Sequence, residues 1–167
     1  MLKGCRFHHL GIVTDDISAT AAAYRAVGYS ASEVVTDPLQ KTRICFLEQP
    51  GFPRLELVSP SEEKSSVTKL LKRGGVSPYH LCYETDDIEA AFEAMTADGY
   101  IPLFRPVEAA AMGGRRICYM YRKDVGYVEM LEAFSGAASS FPVTASSSPV
   151  MASSFPVEES SSETDKR

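Results

Sequence analysis

The chain has 167 residues, 44% of them apolar, and sets 17 basic against 22 acidic side chains for a net charge of −5. That length allows one domain or two small modules sharing a core, and nothing in the acidic balance suggests a nucleic-acid-binding surface. No apolar run approaches the roughly 18 residues of a membrane span, so neither nucleic acid nor membrane is an expected partner.

In chain order, Arg6–Val13 is a β-rich run that reads as the first strand. Thr14 or Asp15 then caps a helix whose first turn carries Asp16, with Ile17, Ala21, Tyr24 and Val27 at helical spacing and Gly28 as its stop. Three further strands are predicted over 30–36, 42–48 and 54–59, parted by Asp37-Pro38 and by Gln49-Pro50-Gly51-Phe52-Pro53. The first module, residues 6–59, therefore reads βαβββ. Residues 60–77 connect it to the second and contain a short helix, capped by Ser65 and closed by Gly74-Gly75. Its Lys69, Lys72 and Arg73 read as a solvated face rather than an anion site. The second module, 78–133, repeats the order: strand 79–84, helix 87–98 with Ile88, Ala91, Phe92 and Met95 on one stripe, then strands 101–105, 116–122 and 127–132. An alanine- and glycine-rich loop at 106–114 reads as a mobile flap over a site. Residues 1–134 form the folded domain, and 135–167, dominated by serine with Ser-Ser-Phe-Pro-Val written twice, reads as a disordered tail. The start of the chain has no apolar signal region. Its four cysteines, Cys5, Cys45, Cys82 and Cys118, form no Cys-x-x-Cys pair, so a reducing, cytoplasmic compartment is expected.

The order repeats because the sequence does. His9-Leu10-Gly11-Ile12-Val13-Thr14-Asp15-Asp16-Ile17 returns 71 residues on as His80-Leu81-Cys82-Tyr83-Glu84-Thr85-Asp86-Asp87-Ile88, and Gly28-Tyr29 returns as Gly99-Tyr100. Arg43-Ile44-Cys45-Phe46-Leu47 and Glu56 return 73 residues on, as Arg116-Ile117-Cys118-Tyr119-Met120 and Glu129. This is an internal duplication of a supersecondary module, and it pairs His9 with His80 and Glu56 with Glu129. Both histidines open a module's first strand and both glutamates lie in its last. A pseudo-twofold would bring two imidazoles and two carboxylates to one point, a donor set suited to a single divalent Zn, Ni, Co, Mn or Fe ion. Taken singly, each residue has a plainer reading as a satisfied strand histidine or a solvent-facing strand glutamate; the symmetric recurrence favours the metal set. His8, the rival of His9, points to the opposite face of an ideal strand and is answered by Tyr79.

The tandem βαβββ order, with His-Leu-Gly-Ile before Asp-Asp-Ile and a second His-Leu-x-Tyr-Glu-x-Asp-Asp-Ile, resembles the vicinal oxygen chelate superfamily across about residues 6–133. Glyoxalase I, methylmalonyl-CoA epimerase, extradiol dioxygenases and bleomycin-resistance proteins belong to that group. The segment from Ser65 to Gly74, followed by Tyr79-His80, and Gly114-Arg115 before a strand are most similar to the epimerase branch. The resemblance implies an α+β fold whose two modules form a shared eight-stranded, open, barrel-like sheet around a central cleft. It also implies His9, Glu56, His80 and Glu129 as metal ligands, with Glu129 also the catalytic base. The expected activity is metal-dependent removal of a proton next to a carbonyl or thioester, in an epimerase, isomerase or glyoxalase-type lyase. The substrate would be a small carbonyl compound, thioester or hemithioacetal, and a homodimer is compatible with the resemblance. One position departs from the epimerase pattern: Leu39 stands where that branch carries a catalytic glutamate, with Asp37 the nearest substitute. A metal-free resistance-type binding protein would lack the ligand set, and an extradiol dioxygenase would draw its ligands from one half, so the symmetric set argues against both.

Overall fold

The computed structural model describes residues 4–134; the serine-rich segment 135–167, with the expectation of disorder placed on it, lies outside them. Ten strands and three helices run in the order β1 (Arg6–Val13), α1 (Ile17–Arg25), β2 (Ser30–Ala31), β3 (Val35–Asp37), β4 (Thr42–Glu48), β5 (Leu55–Pro60), α2 (Thr68–Gly74), β6 (Ser77–Thr85), α3 (Ile88–Ala97), β7 (Ile101–Pro102), β8 (Val107–Glu108), β9 (Arg116–Arg122) and β10 (Gly126–Glu132). They form one open sheet in the order β2-β4-β5-β1-β6-β10-β9-β7, with β3 beside β4 and β8 beside β9. Read from either end, the sheet gives the same sequence of elements. Its centre is the antiparallel pair β1–β6, flanked by β5 and β10 in parallel.

Ten strands stand where eight were expected because one strand of each module breaks in two. In the first, the Ser32 hydroxyl oxygen accepts the Phe46 amide at 2.9 Å, replacing a backbone carbonyl and parting β2 from β3. In the second, the Leu103 amide still donates to the Tyr119 carbonyl at 2.9 Å just past β7, the chain then leaves β9, and pairing resumes at Val107 opposite Ile117.

Both modules start their helix the same way. Asp16 Oδ1 accepts the Ala19 amide at 3.0 Å and Asp87 Oδ1 the Ala90 amide at 2.9 Å, each relieving an orphan donor of the first turn. The first cap is thus Asp16, not Thr14 or Asp15. The Thr14 and Thr85 hydroxyls instead donate to the carbonyls of Asp16 and Asp87, bracing the two caps. Val27 lies past the end of α1 and is exposed, so it does not extend the buried stripe of Ile17 and Ala21. Ser65 does not cap α2 directly; its hydroxyl takes the Val67 amide just before the helix.

Strand alternation decides which face carries chemistry. Cys45, Leu47, Leu55 and Leu57 pack against Ile17 and Ala21 of α1, while Cys118, Met120, Val128 and Met130 pack against Ile88, Phe92 and Met95 of α3. The intervening positions therefore face the other side of the sheet. There Ile44, Phe46, Val58, Ile117, Tyr119 and Leu131 form a third cluster, closed by Val67, Ala109 and Met112. Glu56 and Glu129 belong to this face. The 106–114 segment is no free flap: Ala109 and Met112 are almost wholly buried in the third cluster and hold it down.

Candidate metal centre

His9 and His80 sit on neighbouring central strands, and Glu56 and Glu129 on the strands outside them. Gly11 is the direct partner of His80 and Cys82 the direct partner of His9, two pairings related by the 71-residue shift. The duplication thereby brings the four side chains together. His9 Nε2 lies 3.0 Å from His80 Nε2, 3.2 Å from Glu129 Oε2 and 3.3 Å from Glu56 Oε2. His80 Nε2 lies 3.3 Å from Glu129 Oε2 and 3.5 Å from Glu56 Oε2. One donor atom from each residue falls within 4.8 Å of all the others, and all four residues are buried, none more than 2% exposed.

Two ionisable carboxylates and two imidazoles packed this closely out of water need a compensating charge. Without an ion, a proton takes that part. Burial opposes charging His9, yet the Glu56 and Glu129 carboxylates outweigh it and raise the imidazole to about 9. Burial likewise pushes the Glu129 carboxyl up, but His80 and His9 overcome it and hold the group below the usual carboxylate range. A proton satisfies the cluster poorly. The two Nε2 atoms face each other, and Glu129 Oε2 accepts no well-aligned hydrogen bond although it is buried. Four donors converging on a point with an orphaned carboxylate oxygen among them fit a single divalent cation, and nitrogen with oxygen ligands suits a borderline first-row metal.

Each imidazole is held from behind. A β-bulge between Phe7 and His9 removes His8 from strict alternation, so its ring lies against His9, with the two Nδ1 atoms 2.7 Å apart. His8 Nε2 is in turn 3.1 Å from Arg54 Nη1. Burial first, then the neighbouring His9 and Arg54 cations, push His8 down to about 3, so it stays neutral. His8 is thus a functional neighbour that ideal alternation had sent to the opposite face. The matching irregularity in β6, between Gly11 and Ile12, displaces Tyr79, whose ring packs edge-on against His80 at 4.4 Å between centroids. Behind His80, the Tyr119 hydroxyl is 3.4 Å from Nδ1. Burial, reinforced by the site carboxylates, raises Tyr79, Tyr119 and Cys82 well above their ordinary values and keeps them protonated.

Asp37 and Leu39 lie outside the cluster. Asp37 Oδ1 accepts the Leu39 and Gln40 amides at 2.9 and 3.0 Å, and Oδ2 accepts the Gln40 side chain at 3.3 Å. Its carboxylate is occupied in holding a turn, and Leu39 is exposed.

A family model described as the glyoxalase/bleomycin resistance protein/dioxygenase superfamily matches residues 8–119, which include His9, Glu56 and His80. The chain belongs to that superfamily. Within it, the chain is 28% identical over 123 residues to an ethylmalonyl-CoA/methylmalonyl-CoA epimerase of Cereibacter sphaeroides, across 71% of this chain and 90% of the relative. A methylmalonyl-CoA epimerase solved with methylmalonyl-CoA and ammonium superposes with a TM-score of 0.68 at 26% identity, over 78% of this chain and 96% of that one. The Mycobacterium tuberculosis methylmalonyl-CoA epimerase has the same fold, with a TM-score of 0.68 at 22% identity over 75% and 86% of the two chains. No described helix of this superfamily member is long and apolar enough to cross a membrane.

Proposed function

We propose that this chain is a metal-dependent epimerase or isomerase that removes and returns the proton beside the carbonyl of an acyl thioester. The observation that carries the reading is the convergence of His9, Glu56, His80 and Glu129 on one buried point, with Glu129 Oε2 left without a hydrogen bond. The similarity to epimerases of CoA thioesters supplies the substrate class. A divalent ion held by these four residues would polarise the thioester oxygen and stabilise the enolate charge.

The chain's own residues supply the rest. Glu129 is the base. Paired with the histidines its carboxylate binds protons weakly; freed from them, burial favours the protonated form and Oε2 becomes a competent acceptor of the α-proton. Glu56 lines the same small cavity from the other half, so it can serve the opposite face of the planar intermediate, a part that neither Asp37 nor Leu39 fills. Tyr79, Ala109 and Met112 close the cavity around the carboxylates and exclude water. If Glu129 alone moves the proton, it returns it to a neighbouring carbon, and a glyoxalase-type hemithioacetal isomerisation results. Leu39 and the engaged Asp37 favour that second reading.

Metal analysis followed by solvent-deuterium exchange into 2-methyl-branched acyl-CoA esters and into hemithioacetals separates the two. His80→Ala should lose metal and activity together, and stoichiometric metal in that variant would refute the site. Glu129→Gln should keep part of its metal while exchanging protons at least about 100-fold more slowly. Wild-type exchange in that variant would move the base elsewhere.

A further inference from the structure

A cavity of about 230 Å³ lies beneath α2, walled by Leu70 of the helix, by Phe104, and by Tyr79, Tyr119 and Tyr127 of the sheet. Gln40, Tyr79 and Tyr119 line both this cavity and the smaller one that contains Glu56 and Glu129. One wall therefore runs from the surface helix to the carboxylates. Lys69 and Arg73, four residues apart and so about 5–6 Å apart on one helix face, stand at the outer end.

Position and pairing single out these two cations. Arg6, Lys41, Arg54, Arg115, Arg116 and Arg122 each pair with a carboxylate; Lys69 and Arg73 are among several cations with no ion-pair partner among the described residues, and they are the two of that group that line this cavity. The helix does not explain them either. A cation in the last turn complements the helix dipole, which accounts for Arg73, but Lys69 lies in the first turn, where the dipole disfavours it. In a chain of net charge −5 they leave an unpaired positive rim on an otherwise largely apolar and aromatic cavity.

The cavity is smaller than the roughly 300–1,000 Å³ that encloses a drug-sized ligand, so a nucleotide does not fit inside it. A slender, mostly apolar arm with its anionic group left at the mouth does. Resting on the thioester reading above, we propose that this cavity takes the pantetheine arm of an acyl-coenzyme A, with Lys69 and Arg73 holding its pyrophosphate at the rim. The acyl end then reaches Glu129 past Tyr79 and Tyr119, and the rim supplies affinity remote from the reacting carbon.

Calorimetric titration of the metal-loaded protein with propionyl-coenzyme A and with propionyl-pantetheine, which lacks phosphate, tests the assignment. Wild type should bind the coenzyme A ester more tightly, with an affinity that falls as salt rises. The double variant Lys69→Glu/Arg73→Glu should lose about tenfold or more in affinity for the coenzyme A ester and nothing for the pantetheine ester, with metal content and Tm unchanged. Lys69→Ala/Arg73→Ala should fall between. Equal coenzyme A affinity in wild type and the charge-reversed variant would overturn the proposal, as would a wild type indifferent to the phosphates. Rim-dependent binding without any α-proton exchange would count against the proposed reaction and leave the anion site standing. Exchange indifferent to the charge at 69 and 73 would do the reverse.

Discussion

The two halves contribute the same pair of donors to the centre and hold them differently. Behind His9 stands a second imidazole, His8, backed by the Arg54 guanidinium, which also lies 4.1 Å over the Phe46 ring. Behind His80 stands the Tyr119 hydroxyl, on the residue that the repeat matches to Phe46. Beside His9 the facing strand carries Cys82; beside His80 it carries Gly11. The four donors are the symmetric part and their supports the divergent part. Around His9 the first half packs a cation and a ring, while around His80 the second half presents Tyr79 and Tyr119 to a cavity. Duplication supplied four converging donors, and departure from symmetry gave them different supports.

The sharpest break in the comparison is Gly11→Ala. A Cβ at that position would lie 1.9 Å from His80 Cε1, and its three nearest neighbours are all atoms of that ring. The strand can stay in place only if the imidazole swings out. Metal affinity should drop by about 100-fold or more, more than for loss of a supporting group, while far-UV dichroism stays native. Full metal content in Gly11→Ala would show that His80 is not a ligand.

Next in size is the contrast between the two supports. His8→Phe removes the group 2.7 Å from His9 Nδ1 and should weaken metal binding by about 10-fold to 100-fold. Tyr119→Phe removes one hydroxyl at a longer 3.4 Å and should cost only about 10-fold or less. The reverse order, read by competitive chelation, would place the stronger support in the second half.

The remaining effect is on stability in the metal-free protein. His9 is raised to about 9 when folded, against a reference of 6.5, so its contribution is fully present below about pH 6.5 and is lost as pH rises through 9. That contribution is at most about 3 kcal/mol, shared with the Glu129 it pairs with. Melting in the presence of a chelator should therefore show Tm falling from pH 6.5 to 9.5, and His9→Gln should abolish that slope. A flat wild-type profile would mean that no buried proton stands in for the ion.

How much of this was legible depended on which rule each residue obeys. Position-by-position recurrence made His9, Glu56, His80 and Glu129 readable as a set, whereas alternation alone left Glu56 and Glu129 looking like solvent-facing strand residues. The helix start in the first module was misplaced because Thr14, Asp15 and Asp16 are all capping residues, and only backbone geometry chooses among them. His8 was missed because a bulge breaks the period-two rule, and nothing in Phe7-His8-His9 announces one. Lys69 and Arg73 read as a solvated face rather than a cavity lining, since a solvated helix face and a cavity rim have the same composition. The 106–114 loop looked free because alanine and glycine carry little local signal, although Ala109 and Met112 are buried against strands far away in sequence.

The central pairing of β1 with β6 has a consequence for how the protein is made. At roughly 5–20 residues per second, the ribosome needs about 4–14 seconds to add the 71 residues between His9 and His80. Throughout that interval β1 can gain β5 on one side, but its other edge, with Phe7 and Leu10 along it, has no partner. An unpaired edge of this kind is a template for pairing with the wrong chain. The strand that brings His80 to the four-residue cluster is therefore also the strand that ends the nascent chain's exposure to aggregation, and nothing bound at the cluster can shorten the wait, since half of its donors have not yet been synthesised.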